Sequence, residues 1–236
     1  MHAILDAGRP EQIFRLTRDL AGARATHDST YLNDNEAAVF GATVAIVAPN
    51  GLAMIAHADT VKGQYRLALA DYGATLVPGE QYRLDIHTLQ GETITGTTTI
   101  PMATPVTTSS PVEQFNMRTD TLRLAWPRVA GARSYEVRIQ RDVAFDTSTY
   151  SVFADSTLRI AGLAESITNG DRIFAFDPRF GVHNDVMVAA VDSNYYDYYR
   201  IFNDPFLGAP PSRLAGAVGV FGSMVSIVRR TLNVVY

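Results

Sequence analysis

Hydrophobic and polar residues alternate along most of this chain with a period of two, the pattern of strands that bury one face. The clearest stretch runs from Thr121 to Ile139. Leu122, Leu124 and Trp126 alternate with polar or small residues, Pro127 and Gly131 interrupt, and Tyr135, Val137 and Ile139 then alternate with Glu136, Arg138 and Gln140. Two neighbouring strands result, with the single tryptophan of the chain and Tyr135 pointing into one core, as in a small β-sandwich. The same period recurs upstream. Gly41–Val47, Leu52–His57, Gly63–Leu69, Gln81–His87 and Thr93–Ile100 each predict a strand, with turn signals at Pro49-Asn-Gly51, Pro78-Gly79 and Gln90-Gly91. Tyr65, Leu67 and Leu69 form one inward row, and Tyr82, Leu84 and Ile86 another.

Downstream, Val112–Phe115, Tyr150–Phe153, Thr157–Leu163, Val186–Asp192 and the apolar end from Gly216 to Tyr236 supply further strands. Arg172–Phe176 reads as a short strand inside a segment, 164–184, that otherwise has the character of an inserted loop. Four regions lack a single clear period. Met1–Pro10 reads as a frayed end. Glu11–Leu20 fits either a strand, by Phe14, Leu16 and Leu20, or a helix begun by Pro10, by Ile13, Leu16 and Leu20; the strand is favoured because every clear element downstream is β. Ala21–Ala38 is polar and reads as a long loop. Met102–Pro111, rich in Thr, Ser and Pro, reads as a linker. The expectation is an all-β chain of two immunoglobulin-like or prealbumin-like sandwich domains in tandem, at 12–103 and 112–236, joined by a linker at 104–111.

Composition narrows the function classes. The chain has 236 residues, 47% hydrophobic and 19% charged, which is globular rather than disordered. A net charge of −4, with no basic run anywhere, argues against nucleic-acid binding. The absence of cysteine excludes disulfides, thiolate metal sites and cysteine nucleophiles. No charged-then-apolar signal segment follows Met1, so the expectation is either a cytoplasmic protein or a chain that starts downstream of an export signal. The apolar run Leu214–Val228 carries three glycines and two serines and is too short for a membrane-spanning helix, so it reads as buried strand.

Chemistry-bearing residues are scattered. His2, His27, His57, His87 and His183 include no pair at metal-ligand spacing, and a zinc site would require His57 and His87 to meet Asp59 or Asp85 in space. Asp192-Ser-Asn194-x-x-Asp197 has hard oxygen donors but lacks the alternation, turn glycine and closing glutamate of a calcium loop, and reads as a turn held by its own side chains. No metal or cofactor is expected. Glu80, Glu92, Glu113 and Glu136 fall in turns or on outward strand positions and read as solvated surface. No Gly-x-Ser-x-Gly elbow or Ser-x-x-Lys pair is present, and no catalytic residue is expected. Lys62, in a turn rather than on a first strand, is ill placed for a Lys–Asn isopeptide. The densest aromatic stretch is Tyr195-Tyr196-Asp197-Tyr198-Tyr199, followed by Phe202 and Phe206. Read as a strand, it puts Tyr196 and Tyr198 on one face and Tyr195 and Tyr199 on the other. Such a surface stacks on sugar rings or anchors a protein partner.

Two resemblances follow from the motifs. Gly41-Ala-x-Val-x-Ile, Gly63-x-Tyr, Pro78-Gly-x-x-Tyr-x-Leu-x-Ile and the closing Ile100-Pro101 resemble a prealbumin-like, carboxypeptidase-regulatory-type sandwich. Leu122-x-Leu-x-Trp, Tyr135-x-Val-x-Ile, Leu158-x-Ile-x-Gly-Leu and Val186-x-Val-x-Ala-Val-Asp resemble a fibronectin type III domain. With the Gly216–Gly222 segment, the whole resembles an uncharacterised family of envelope lipoproteins, mainly of Bacteroidetes, often found alongside TonB-dependent outer-membrane receptors. The resemblance implies a non-catalytic envelope binding or assembly protein whose partner is an outer-membrane transporter. It departs at the N-terminus, where the signal peptide and lipid-bearing cysteine are missing, so membrane attachment would rest on a lipid anchor outside this chain. The other expectation is a glycan- or peptide-binding module that uses Tyr195–Phe206.

Overall fold

The computed structural model describes residues 1–17, 38–116, 119–142, 149–155, 157–161, 183–202 and 212–235, with side chains for all of these but 141–142, 149–150, 157–161 and 202. The strands are β1 (His2–Asp6), β2 (Glu11–Arg15), β3 (Thr43–Val47), β4 (Ala53–Ala58), β5 (Gln64–Ala68), β6 (Gln81–His87), β7 (Thr93–Thr99), β8 (Glu113–Asn116), β9 (Thr121–Ala125), β10 (Ser134–Asp142), β11 (Thr149–Ala154), β12 (Thr157–Ala161), β13 (His183–Val191) and β14 (Val220–Val235). Among the described residues, one α-helix, α1 (Ser193–Phe202), and a single 3₁₀ turn at Leu69–Tyr72 interrupt them. The protein is all-β in class, as the period-two pattern predicts.

Twelve strands form one continuous sheet in the order β11-β10-β13-β14-β1-β2-β5-β4-β3-β6-β7, with β8 beside the end of β14, while β9 and β12 make a separate pair. The sixteen-residue β14 is the spine. Its first residues pair parallel with β1, its length pairs antiparallel with β13, and its last residues pair parallel with β8. The sheet turns over at β4, where Ala53–Ala56 pair with β3 and His57–Ala58 pair with β5. That fold brings β7 back against β14.

Among the described residues, two large cores lie along this sheet, and a smaller one lies under α1. Leu5, Phe14, Val44, Ile46, Tyr65, Leu67, Tyr82, Leu84 and Ile86 close over Phe221 and Val225 of β14. Leu122 and Leu124 of β9 and Trp126 just after it pack on Tyr135, Val137, Ile139, Val186, Val188, Leu232 and Val234, with the Trp126 and Tyr135 rings 5.6 Å apart. Ile227 of β14 packs against both. The inward rows read from alternation are therefore the buried rows.

The first core carries polar anchors as well. The Tyr65 hydroxyl accepts from the Ala42 amide and donates to the Val39 carbonyl, both at 3.0 Å, and holds the entry to β3. Tyr65→Phe is expected to cost about 1–2 kcal/mol by orphaning two backbone groups. The reading is a lower urea midpoint at unchanged slope; an unchanged midpoint would mean water replaces the hydroxyl.

The structure revises several expectations. Met1–Pro10 is not frayed: His2–Asp6 is a strand between β14 and β2, with Ala3 and Leu5 at 0% exposure. The partner that pairs with all five of its residues, β14, lies at the other end of the chain, out of reach of any local signal. Glu11–Arg15 is a strand, as favoured. The Thr- and Pro-rich segment 104–111 runs along β14, where the Val106 amide donates to Ser226 O at 2.8 Å and the Ser110 amide to Arg229 O at 3.2 Å. Asn194–Tyr199 is helical rather than extended. The loop expected at 21–38, apart from Ala38, the strand at Arg172–Phe176 and nearly all of the insertion at 164–184 lie outside the described residues.

Candidate functional site

The aromatic stretch is built into a helix, α1, that lies across the outer face of β13 and β14. Asp192 starts it. Its Oδ1 accepts from the Tyr195 amide at 2.9 Å, capping the first turn, and from the Ser223 amide of β14 at 3.1 Å. Its Oδ2 accepts from the Thr98 hydroxyl of β7 at 2.7 Å. Asn194 donates to Thr97 O of β7 at 2.7 Å and to Phe221 O of β14 at 2.8 Å. The helix N-terminus is thus pinned where β7 meets β14. Burial raises the Asp192 pKa, opposed by the hydrogen bonds from Thr98, Tyr195 and Ser223.

Tyr195 enters the interior at 2% exposure, against Ala189, Val191 and Met224. Its hydroxyl donates to Glu136 Oε2 at 2.6 Å. Glu136 also accepts from the Ser151 hydroxyl at 2.5 Å and pairs with Arg138 at 2.8 Å, and Arg138 donates to the Tyr195 oxygen. Burial raises the Tyr195 pKa well above the usual phenol value, while the Arg138 charge opposes it. Burial would lower the Arg138 pKa, but the hydrogen bond to the Tyr195 oxygen and the ion pair with Glu136 outweigh it, and the guanidinium stays fully charged. Glu136, expected to be solvated, is 5% exposed. It does lie on the outward face of β10, but α1 covers that face.

A period of 3.6 residues regroups the tyrosines. Tyr195 and Tyr199 share a face, as they would in a strand, their ring centroids 4.5 Å apart, but Tyr196 and Tyr198 no longer do. Tyr199 meets the His2 imidazole of β1, and Tyr198 stands edge-on to Tyr199 at 5.3 Å. Burial raises the pKa of both Tyr198 and Tyr199. Tyr196 points away from this group. Phe153 of β11 meets it edge-to-face at 5.0 Å, and the Arg133 and Arg200 guanidiniums stand over its ring at 5.1 and 5.5 Å. Tyr196, Tyr198 and Tyr199 are half-buried. Phe202 closes the helix, with only its backbone described, and Phe206 lies outside the described residues.

The other predicted donors do not converge. Asp192 caps the helix, and Arg213 binds both Asp197, at 2.5 Å, and the Asn194 side-chain oxygen, at 3.2 Å. His57 and His87 are exposed on different strands, and His87 meets Thr93. Asp59 pairs with Arg66 and Asp85 with Arg83. Among the described residues no cluster of three or more His, Asp or Glu is placed to hold a metal. Sequence reasoning missed Arg133, Arg138, Phe153 and Arg200, because nothing local ties a turn arginine or a strand phenylalanine to a helix far along the chain. Open grooves elsewhere among the described residues include one of about 470 Å³ among Leu52, Met54, Tyr72, Val77 and Tyr82, and one of about 460 Å³ among Glu113, Asp120, Arg123 and Arg230.

The chain matches, over residues 2–228, the model of a family described as "Domain of unknown function (DUF4249)". No curated protein matches. Among solved structures, a pullulanase complexed with maltotriose, from Anoxybacillus sp. LM18-11, is similar at 9% identity over 79% of this chain and 23% of its own, with a TM-score of 0.21. The chain therefore spans about a quarter of that enzyme, and at so low a score the likeness bears on neither fold nor activity.

Proposed function

The chain belongs to the DUF4249 family, and from that premise we propose that it is a non-catalytic binding and assembly protein of the cell envelope, with the outer surface of α1 as its partner-binding face. The observation that carries this is the fixed presentation of Tyr196, Tyr198 and Tyr199, half-buried on a helix whose first turn is tied to both β7 and β14. Aromatic side chains held in place before binding lose little freedom on contact, which is what makes them anchors in protein interfaces.

The charged groups beneath this face fit the same reading. Glu136 and Asp192 are spent on structural hydrogen bonds. The envelope setting, a lipid anchor upstream and a TonB-dependent receptor as partner rest on the resemblance of the sequence motifs. So does the division into a prealbumin-like and a fibronectin-like sandwich, for which the two cores packed on the first and last parts of β14 speak.

The test is recovery of a membrane receptor with the tagged protein from detergent-solubilised envelopes of its own host. Tyr196→Ala with Tyr198→Ala is expected to cut recovery at least about tenfold while the melting temperature holds, as for loss of interface anchors. Undiminished recovery would sink the assignment of the site. Absence of the protein from the envelope would sink the setting.

A further inference from the structure

Tyr196 is not a bare aromatic platform. Two guanidiniums already stand over its ring, those of Arg133, just before β10, and Arg200, in the last turn of α1. Both arginines are exposed, and among the described residues neither has a carboxylate partner. Among the described residues, the acids closest along the chain are engaged elsewhere, Glu136 with Arg138, Ser151 and Tyr195, and Asp197 with Arg213. Two like charges held over one ring repel each other, and an anion drawn to either one lies in the field of both.

From this we propose that the Arg133–Tyr196–Arg200 patch is the docking site of an acidic, extended peptide segment of a partner protein. The inference rests on the reading of α1 as the partner-binding face and adds the chemistry of what binds there. Three observations select an acidic peptide. A neutral sugar needs an open ring face to stack on, and here cations stand over the ring. Attraction to an anionic membrane takes a cluster of about four to eight basic residues, and the patch has two. Beside it, Phe153 lies on β11, the last strand of the sheet's path among the described residues, where a peptide can lie alongside a strand while its carboxylates reach the guanidiniums.

The probe is a fluorescein-labelled octaglutamate peptide, followed by anisotropy with the intact protein at low salt. Binding that weakens about tenfold in the Arg133→Gln/Arg200→Gln double variant, and also with added salt, supports the proposal. In that case Arg123→Gln, on the unrelated strand β9, leaves affinity unchanged. Equal affinity in wild type and double variant overturns it. So does displacement of the peptide by equimolar inorganic phosphate, which would mark a free-anion site, and so does binding to phosphatidylglycerol vesicles without binding to octaglutamate. Failure here with receptor recovery intact removes only the acidic-peptide assignment. Success here with no receptor recovered keeps the patch and removes the envelope partner.

Discussion

Replacing Asp192 with alanine is expected to destabilise the protein by about 3 kcal/mol at neutral pH, from a lost helix cap and buried donors left without an acceptor. One carboxylate serves three elements at once, through Tyr195 of α1, Ser223 of β14 and Thr98 of β7. Relief of the charge's desolvation offsets part of the loss, which is why the expectation is below the sum of the separate costs. For a chain of this size the change lowers the melting temperature by about 6–12 °C. Asp192→Asn separates geometry from charge. The amide keeps an oxygen for the two backbone donors, and its nitrogen can donate to the Thr98 hydroxyl, so the cost at neutral pH is small.

The pH dependence has a defined sign. Burial raises the folded pKa of Asp192 above its ordinary value of 3.8, so the folded state holds this proton more tightly than the unfolded chain. The wild type then loses stability, relative to Asp192→Asn, as pH rises from the unfolded value through the folded one, and the difference is constant above that. Urea midpoints of both proteins across the acid range measure it. A gap that does not move with pH would mean the carboxylate is solvated and the junction of β7, α1 and β14 is looser than described.

The parts of this fold that alternation makes legible are those whose partners are near in sequence. Tyr82, Leu84 and Ile86 face the first core from β6, paired with β7 one turn away, and Leu122, Leu124 and Trp126 face the second core across from β10, the next strand in the chain. His2–Asp6 is illegible because its five residues offer too short a pattern and its parallel partner is β14. Glu136 misleads for a related reason: strand alternation tells which face a residue is on, but not that a later helix covers that face.

The candidate site is legible in composition and not in geometry. Tyrosine, asparagine and aspartate are indifferent helix formers, so the stretch after Asp192 reads as extended. The signal to the contrary is Asp192 itself, a strong N-cap residue ahead of aromatics four apart at Tyr195 and Tyr199. That spacing stacks the two rings over β1 and β14 and leaves Tyr196 to the arginines.

The segment Gly216–Gly222 stands out in the sequence as a motif without a visible role, and the structure gives each glycine a different neighbour. A β-carbon on Gly216 would sit 2.1 Å from Thr93 O of β7, one on Gly219 would sit 1.9 Å from Met1 O ahead of β1, and one on Gly222 would sit 2.9 Å from the Tyr195 amide of α1. Gly216 lies at φ +82° and adjoins Ala215, which exchanges hydrogen bonds with Thr95 at 2.9 and 3.0 Å and so caps the outer edge of β7. Gly216→Ala is therefore expected to cost about 3 kcal/mol, combining left-handed strain with the loss of that edge pairing. Gly51 supplies the control. It has a similar φ of +85°, but a β-carbon there would meet nothing within 4 Å, so Gly51→Ala carries the backbone strain alone, about 1 kcal/mol. Urea denaturation of the two variants isolates the close approach. If they lose the same stability, the chain at Gly216 moves away from Thr93 at no cost, and β7 is held there by Asp192, Asn194 and Ser223 instead.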